Sequence, residues 1–512
     1  MDKDTLDDLD RRRAQARKMG GKERLDRLAA NGKLDARTRI DLLFDPGTFV
    51  EIGLLARSAH PDLHERTNAD GLIAGHGLIN GRLVYAASED ASILGGTRGR
   101  AAETKIARLR NLALKHAAPY VALMEAGAGR FQENNGASAV AIGNRFREHM
   151  LMSGRVPQVA AIMGACFGGP SFTAAQSDFV PMTKGTGFMG MSGPAVVRVG
   201  IRQEVTPDEI GGWEKSSTVT GQADYVGETD EDVLCAIREF LSFFPSNSNA
   251  LPPQNDPVPA LCDSPEGAQE LNDLVPDNHR RAYSMARMIE LLVDGGHSFE
   301  YRPTYGKSLI TTWARFEGRP VGIVANNPME WAGAMEEKSA NKLRKFVDTC
   351  NAFHIPLVFL TDCPGFVVGP DIEDKRMVSL AARILNSVAS SQVPKVTVVI
   401  RKAIGLAYLA LGGKTMGPDR LVAWPTAQFD VMGPAAGIEL THGEKIRNSD
   451  DPDATRRALL ARAEEEASTY LAAETGLLDD VIRPDETRRV IIQTLNAAAA
   501  SQTPGFVARI DP

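Results

Sequence analysis

Three landmarks recur in this chain at one spacing. Gly81 in "GLINGRLVYAASED" and Gly318 in "ARFEGRPVGIVANN", Pro119 and Pro356, and Pro157 and Pro394 are each 237 residues apart. All three pairs lie in apolar contexts of the same kind, and no gap intervenes. Two further pairs fall near this spacing: "MGMSGPA" echoes "DVMGPAA" at 240, and "LFDPGTFVEIG" echoes "LVDGGHSFEYR" at a larger shift. A repeat this long means two similar domains rather than a solenoid of short units. The length agrees, because 512 residues exceed what one core of about 250–300 residues organises.

Within each half, β-rich apolar runs alternate with helix-period ones. "RLVYAAS", "YVALMEA" and "QVAAIMGA" in the first half, and "PVGIVAN", "PLVFLTD" and "KVTVVIR" in the second, read as buried strands bounded by Gly or Pro. Between them "AAETKIARLRNLALKH" and "AVAIGNRFREHMLMSG" carry apolar residues every three to four positions and predict amphipathic helices. The alternation predicts an α/β fold with parallel pairing and right-handed crossovers. Domains are expected over 1–245 and 281–512. The linker expected over 246–280 is rich in Pro, Asn, Ser and Asp. Near the end, two amphipathic helices flanking "GLLDDVIRPDET" read as a docking or oligomerisation surface.

The strand "QVAAIMGA" runs into "CFGGPSFTAA", and the second half repeats this turn as "RKAIGLAY", with Leu406 where the first has Gly169. Gly168 and Gly169 let backbone N–H groups project without a Cβ in the way. A helix start adds unsatisfied N–H groups and a positive dipole end. Such a turn suits an anion, a phosphate or a developing oxyanion; it equally suits close packing of strand on helix.

Other motifs fall away. "GGKTMG" has Tyr408 where a P-loop needs its first glycine. "GMSGP" is not the G-x-S-x-G elbow, and the sequence has no H-E-x-x-H and no Cys/His cluster at metal spacing. His76, His116, His354 and His442 are assigned no role. The five cysteines, Cys166, Cys235, Cys262, Cys350 and Cys363, form no C-x-x-C pair and fit reduced core thiols; a nucleophilic thiol at Cys166 is the alternative. The net charge of −7 argues against nucleic acid as partner. No apolar run reaches the ~18–20 residues that span a bilayer, and the charged N-terminus is no signal peptide, so a cytoplasmic location without membrane contact is expected. Two polarising turns with no nucleophile or base beside them suit chemistry in which the reactants carry the reactive groups.

From Lys22 to Gln493 the chain resembles the carboxyltransferase (β) subunits of biotin-dependent acyl-CoA carboxylases of the propionyl-, methylcrotonoyl- and geranyl-CoA kind. The resemblance is carried by "GKERLDRLAANGKLDARTRIDLLFDPGTFVEIG", "GACFGGPSFTAAQSDFVPM", "IPLVFLTDCPGFVVG", "VPKVTVVIRKAIGLAY" and "WPTAQFDVMGPAAGIEL". It implies two tandem duplicated crotonase-like domains (ClpP/crotonase superfamily), the first for acyl-CoA and the second for biotin. It implies a homo-hexamer with active sites between the N-domain of one subunit and the C-domain of another. The turn at Gly168 and Gly169 is similar to an oxyanion hole for the thioester enolate. The turn at Gly405, Leu406 and Ala407 is similar to one that holds the biotin ureido oxygen. Carboxybiotin on a partner subunit is the implied donor, acyl-CoA the substrate, and no metal is implied in this chain. The decarboxylated biotin N1′ takes the α (or vinylogous γ) proton, and no protein base is implied. Neither an A-M-K-M biotinylation site nor an ATP-binding glycine loop occurs, so a biotin carboxylase and biotin carboxyl carrier (α) subunit are expected as partners. The four-Cys zinc ribbon usual in bacterial acetyl-CoA carboxylase β subunits is absent from the sequence.

Around the expected cleft the chain departs from the family. "AGAGRFQENNG" stands where "GGARIQEG" is common, and "PGFVVGPDIEDKR" where a Gly-Gly-Ile stretch and an Arg-His pair are. "FVVG" looks closer to the methylcrotonoyl/geranyl branch. Ala128, Gly129, Gly365 and Phe366 are the implied substrate-binding positions. Leu409 stands near a position that resembles a substrate-selecting site and implies an apolar lining, or plain core packing. Arg98, Arg100 and Lys105 are candidates for the CoA phosphates, or else surface charges. The same residues serve a biotin-dependent acyl-CoA decarboxylase run in reverse, and a non-catalytic scaffold is a third reading.

Overall fold

The computed structural model describes residues 2–141 and 146–512. The chain divides into two compact units, Met1–Ala250 with Gly505–Pro512, and Leu251–Pro504. Unit 1 carries a seven-stranded sheet in the order Val50–Glu51, Leu72–Ile79, Arg82–Glu89, Tyr120–Met124, Gln158–Ile162, Pro181–Thr183, Tyr225–Gly227. Unit 2 repeats the order with Ser298–Glu300, Leu309–Phe316, Arg319–Asn326, Leu357–Cys363, Lys395–Ile404, Arg420–Ala423 and Asp480–Val481. Even the registers recur at the repeat spacing. Tyr85 faces Tyr120 as Gly322 faces Leu357, and Tyr120 faces Gln158 as Leu357 faces Lys395.

Parallel pairing starts only at the third strand of each sheet. The first two pairings are antiparallel, an addition to the parallel pairing expected from the alternation. The cause is local. Asn80 and Gly81 have φ of 51° and 73°, and Glu317 and Gly318 have 49° and 76°. Two successive left-handed residues make the tight hairpin turn that matches strand twist. Asn-Gly is a hairpin signal in its own right, but alternation of strand and helix does not reveal it.

The central strands are covered on both faces. Every residue of Tyr120–Met124, Gln158–Ile162 and Leu357–Cys363 is buried, which is why they read as continuous apolar runs. Helices Arg100–Lys115 and Glu337–Ala352 follow the third strands and bury equivalent side chains, Ile106 and Leu109 in the first and Leu343 and Phe346 in the second. The helix expected from "AVAIGNRFREHMLMSG" is a 3-10 turn over Gly136–Ala141 and a helix over Phe146–Met152; residues 142–145 lie outside the described residues. Stretch 246–280 contains helix Pro265–Asp273, whose first turn is capped by the Ser264 hydroxyl. Near the C-terminus, helix Pro452–Glu466 buries no residue, whereas Thr487–Ala498 sends Val490, Ile491 and Leu495 into the unit 2 core. No described helix is long and apolar enough to cross a membrane.

One buried cation is also duplicated. Lys105 donates to the carbonyls of Ala69 and Leu72, and Lys342 to that of Leu309 at 2.8 Å. Burial pushes the Lys342 ammonium down from its ordinary 10.5 to about 7, against the opposing pull of Glu300. Between those values the unfolded chain binds more protons, so this residue's contribution to stability rises with pH. Replacing it, Lys342→Met, is expected to flatten the rise in unfolding free energy between about pH 7 and about pH 10, read from denaturant titrations at stepped pH.

The paired hairpins allow a sharper comparison. A Cβ at Gly81 meets nothing within 4 Å, whereas one at Gly318 would stand 1.8 Å from the Asn255 carbonyl oxygen. Gly81→Ala should therefore cost only the left-handed strain of about 1–2 kcal/mol. Gly318→Ala should cost about 3 kcal/mol or more, measured as the loss in unfolding free energy.

Candidate active site

In unit 1, two loops leave the carboxyl ends of adjacent parallel strands, where α/β sheets bind ligands. The loop after Tyr120–Met124 passes through Ala128, whose φ of 146° is costly for a residue with a side chain. It is pinned by a short bridge: the Arg98 N–H donates to the Ala128 carbonyl at 3.0 Å, and the Arg130 N–H to the Arg98 carbonyl at 2.8 Å. The loop after Gln158–Ile162 ends at Gly168, with φ 66° and ψ −131°, and helix Gly169–Ala175 follows with Pro170 in its first turn. A Cβ on Gly168 would meet only the Met191 carbonyl oxygen at 3.9 Å, so glycine is required here for conformation rather than for space.

The two expected donors differ. The Gly168 N–H donates to the Gly190 carbonyl at 3.2 Å, so it is committed within the fold. No described hydrogen bond takes the Gly169 N–H, and the expectation of two donors narrows to Gly169. Beside it lies a cavity of about 360 Å³ lined by Gly168, Gly169, Ala128, Gly129 and Arg98. Five of the residues singled out from sequence are thus brought together. Arg100 and Lys105 are not. Arg100 is exposed and donates from Nε to the Glu133 carbonyl at 3.0 Å. Lys105 is buried on its two carbonyls, and burial pushes it down to about 8. Its ammonium is taken up by these backbone acceptors.

Sequence reasoning missed Glu103 and Arg110, which line the same cavity beside Ile106. The signal was present: the three recur at helical spacing, placing two charges on the apolar side of helix Arg100–Lys115.

A buried ionic framework holds the loop through Ala128. Arg98 pairs through Nε with Glu89, whose other oxygen accepts the Glu125 N–H at 2.6 Å. Burial opposes the charge on Arg98, and the Glu89 carboxylate more than offsets it. Glu125 in turn binds Lys33 at 2.6 Å and Arg39, which continues to Asp230 at 2.9 Å. Arg130 binds Asp70 at 2.6 Å and Glu133 at 2.7 Å, while Glu133 also accepts from Ser58 at 2.7 Å and from the Arg100 N–H. Cys166 is fully buried with its Sγ 3.8 Å from the Met124 sulfur, and burial pushes its thiol up; it is a core thiol, not a nucleophile. Burial likewise holds His149 well below its ordinary value, hence neutral.

Unit 2 copies the backbone of this arrangement with other side chains. Gly405 has φ 64° and Gly365 has φ 129°. The Met335 N–H donates to the Gly365 carbonyl at 3.0 Å, and the Val367 N–H to the Met335 carbonyl at 2.9 Å. Leu406 is 66% exposed and no described hydrogen bond takes its N–H, while Ala407 is fully buried. Phe366 and Leu409 are half-buried. Among the described residues no cluster of His, Cys, Asp or Glu could hold a metal ion.

A strand–glycine–helix turn, built twice on two sheets of one order, defines a mixed α/β protein of the crotonase-like class. The chain belongs to the carboxyl transferase family, whose domain model matches residues 28–510, and it is a carboxyltransferase. It is 37% identical over 503 residues to the methylmalonyl-CoA decarboxylase subunit alpha of Propionigenium modestum, covering 96% of this chain and 95% of that one. It is 36% identical over 491 residues to the propionyl-CoA carboxylase beta chain of Roseobacter denitrificans, covering 95% of each. Its structure is similar to that of transcarboxylase 12S with methylmalonyl-coenzyme A and methylmalonic acid bound, with a TM-score of 0.90 and 34% identity, covering 99% of this chain and 96% of that one.

The framework predicts its own test. Arg130→Met leaves Asp70 and Glu133 buried without their cation, which typically costs about 3–5 kcal/mol. Thermal unfolding should show that loss, and the Ala128–Gly129 loop should become accessible to proteolysis.

Proposed function

We propose that this chain is the carboxyltransferase subunit of a biotin-dependent enzyme that moves a carboxyl group between biotin on a partner polypeptide and the α (or vinylogous γ) carbon of an acyl-CoA. The observation that carries this reading is the unclaimed Gly169 N–H beside the cavity that Ala128 and Gly129 also line. A thioester oxygen seated there gains a donor where negative charge develops as the α carbon loses its proton. Pro170 and the committed Gly168 N–H fix the direction of that donor, so it need not reorganise during reaction.

In unit 2 the residues fit a urea carbonyl. Gly405 takes the same left-handed turn as Gly168, and the Leu406 N–H is likewise unclaimed. Gly405, Leu406 and Ala407 would hold biotin there, and Gly365, Phe366 and Leu409 are proposed, with Ala128 and Gly129, as acyl-CoA-binding positions. Biotin supplies the carboxyl group and the proton acceptor. This chain's part is to seat, orient and polarise, and neither Cys166 nor His149 lines the cavity. Arg100, exposed at the start of its helix, is the remaining candidate for a CoA phosphate.

The similar proteins include both a carboxylase beta chain and a decarboxylase subunit alpha, and one set of polarising groups serves both directions. We assign carboxylation, with a biotin carboxylase and carrier subunit as partners, and a homo-hexamer of this chain, as the similar transcarboxylase 12S forms. The proposed division gives residues 1–245 to acyl-CoA and 281–512 to biotin.

The test is carboxyl transfer from a carboxylated biotin carrier to a panel of acyl-CoAs. Proline is tolerated at the first helical position, so Gly169→Pro removes the donor and keeps the turn. Turnover is expected to fall about 100- to 1,000-fold with the thermal midpoint retained. Unchanged turnover would remove this turn from the active site, and transfer to no acyl-CoA would overturn the assignment.

A further inference from the structure

The stretch Gly505–Pro512 belongs to unit 1, although it follows unit 2 in the chain. It lies along a single turn. The Arg155 guanidinium stands 4.3 Å from the centroid of the Phe506 ring. The Ile510 N–H donates to the Ser153 hydroxyl at 3.0 Å, and that hydroxyl donates back to the Ile510 carbonyl at 3.3 Å. Between Ser153 and Arg155, Gly154 has φ 67°, and a Cβ there would stand 1.9 Å from the Ala508 carbonyl oxygen. Glycine is required at this point for both conformation and space. Residues 506, 508 and 510 thus meet 155, 154 and 153, with the two-residue period of an extended chain. Ile510 and Ser153 are both buried where they meet.

The turn so engaged ends helix Phe146–Met152. The Met152 carbonyl accepts from the Arg155 and Val156 N–H groups at 2.9 and 3.2 Å, so what holds this turn holds that end of the helix. At the other end Phe146 lines the unit 1 cavity. Its ring meets that of Phe172 edge-on with centroids 6.0 Å apart, and a Cβ on Gly169 would stand 3.8 Å from its Cζ. A helix of seven residues is too short to be stable alone, so its anchors decide where it stands.

Resting on the carboxyltransferase reading, we propose that residues 506–510 form a strap that positions Phe146 beside Gly169, and that the acyl-CoA affinity of the unit 1 cavity depends on it. Ser153, Phe506 and Ile510 are then positioning residues: they do not line the cavity and act through the helix. Phe146 offers apolar surface and no hydrogen bond to a developing charge, so displacing it weakens ground state and transition state alike. The signature of such a loss is a raised KM with kcat retained.

The experiment uses the full chain, propionyl-CoA and a carboxylated biotin carrier. Ile510→Asp puts a charge into a buried contact and is expected to release the strap. Amide hydrogen exchange across Phe146–Met152 should quicken, and KM for propionyl-CoA should rise about tenfold, as loss of part of an aromatic side chain's burial gives, with kcat within about twofold. Gly154→Ala displaces the strap from the other side and should do the same; it also serves if the aspartate variant does not fold. Phe146→Ala should raise KM by a similar factor, and adding Ile510→Asp to it should raise KM no further, because the two act through one contact. Effects that multiply in the double variant overturn the assignment to Phe146. Unchanged exchange across the helix, or unchanged KM in both strap variants, overturns the inference and leaves carboxyl transfer standing. An unaltered protein that neither binds nor carboxylates any acyl-CoA overturns the carboxyltransferase reading, and the exchange result then still decides whether the strap holds the helix.

Discussion

A left-handed glycine at the end of a buried strand governs this molecule. Gly168 and Gly405 take φ of 66° and 64°, a conformation that costs a residue with a side chain about 1–2 kcal/mol. The reversal converts a strand into the first turn of a helix within one residue. It leaves the next N–H pointing off the sheet instead of into a ladder. The neighbouring loop must then come to the same place, and in both units it does so with an unusual backbone, at Ala128 and at Gly365. What holds these loops is electrostatic. The Glu125 N–H donates to Glu89, and the Asp362 N–H to Asn326 at 3.2 Å, so one hydrogen bond beneath the turn has been kept while its acceptor changed from a carboxylate to an amide.

The two copies have kept a backbone and exchanged their surroundings. In unit 1 the turn borders a cavity with charged residues in its wall. In unit 2 the equivalent of Gly169 is Leu406, held outward and exposed. An N–H donor needs no particular side chain, so leucine is compatible with donation while changing what can approach. That difference fits the proposed transfer of a carboxyl group between two carbonyl compounds of unlike size and attachment, a diffusing thioester and a urea tethered to a partner. Under the proposed function the reactive atoms come with the reactants, which asks for no nucleophile or base at either turn.

Much of this was legible in the sequence. The 237-residue spacing fixes the paired registers, because parallel strands buried on both faces tolerate no slip, and the strands around Tyr120, Gln158, Leu357 and Lys395 fall where apolar runs place them. The antiparallel hairpins were missed because they turn on two residues, Asn80 and Gly81, rather than on periodicity. The roles of Gly168 and Lys105 could not be read either. Which N–H is free depends on the Gly190 carbonyl, and which lysine faces solvent depends on how its helix is rolled. Arg110 was overlooked for a related reason: a charge at an apolar helix position reads as an exception until the cavity beside it is seen.

The central claim is that the two turns serve different reactants. Leu406→Pro removes the unit 2 donor alone and tests this most directly. The account predicts that an acyl-CoA binds this variant by titration calorimetry with the dissociation constant of the unaltered protein, while carboxyl transfer from the biotin carrier falls about 100-fold or more. Transfer at the unaltered rate, or a parallel loss of acyl-CoA binding, would contradict it.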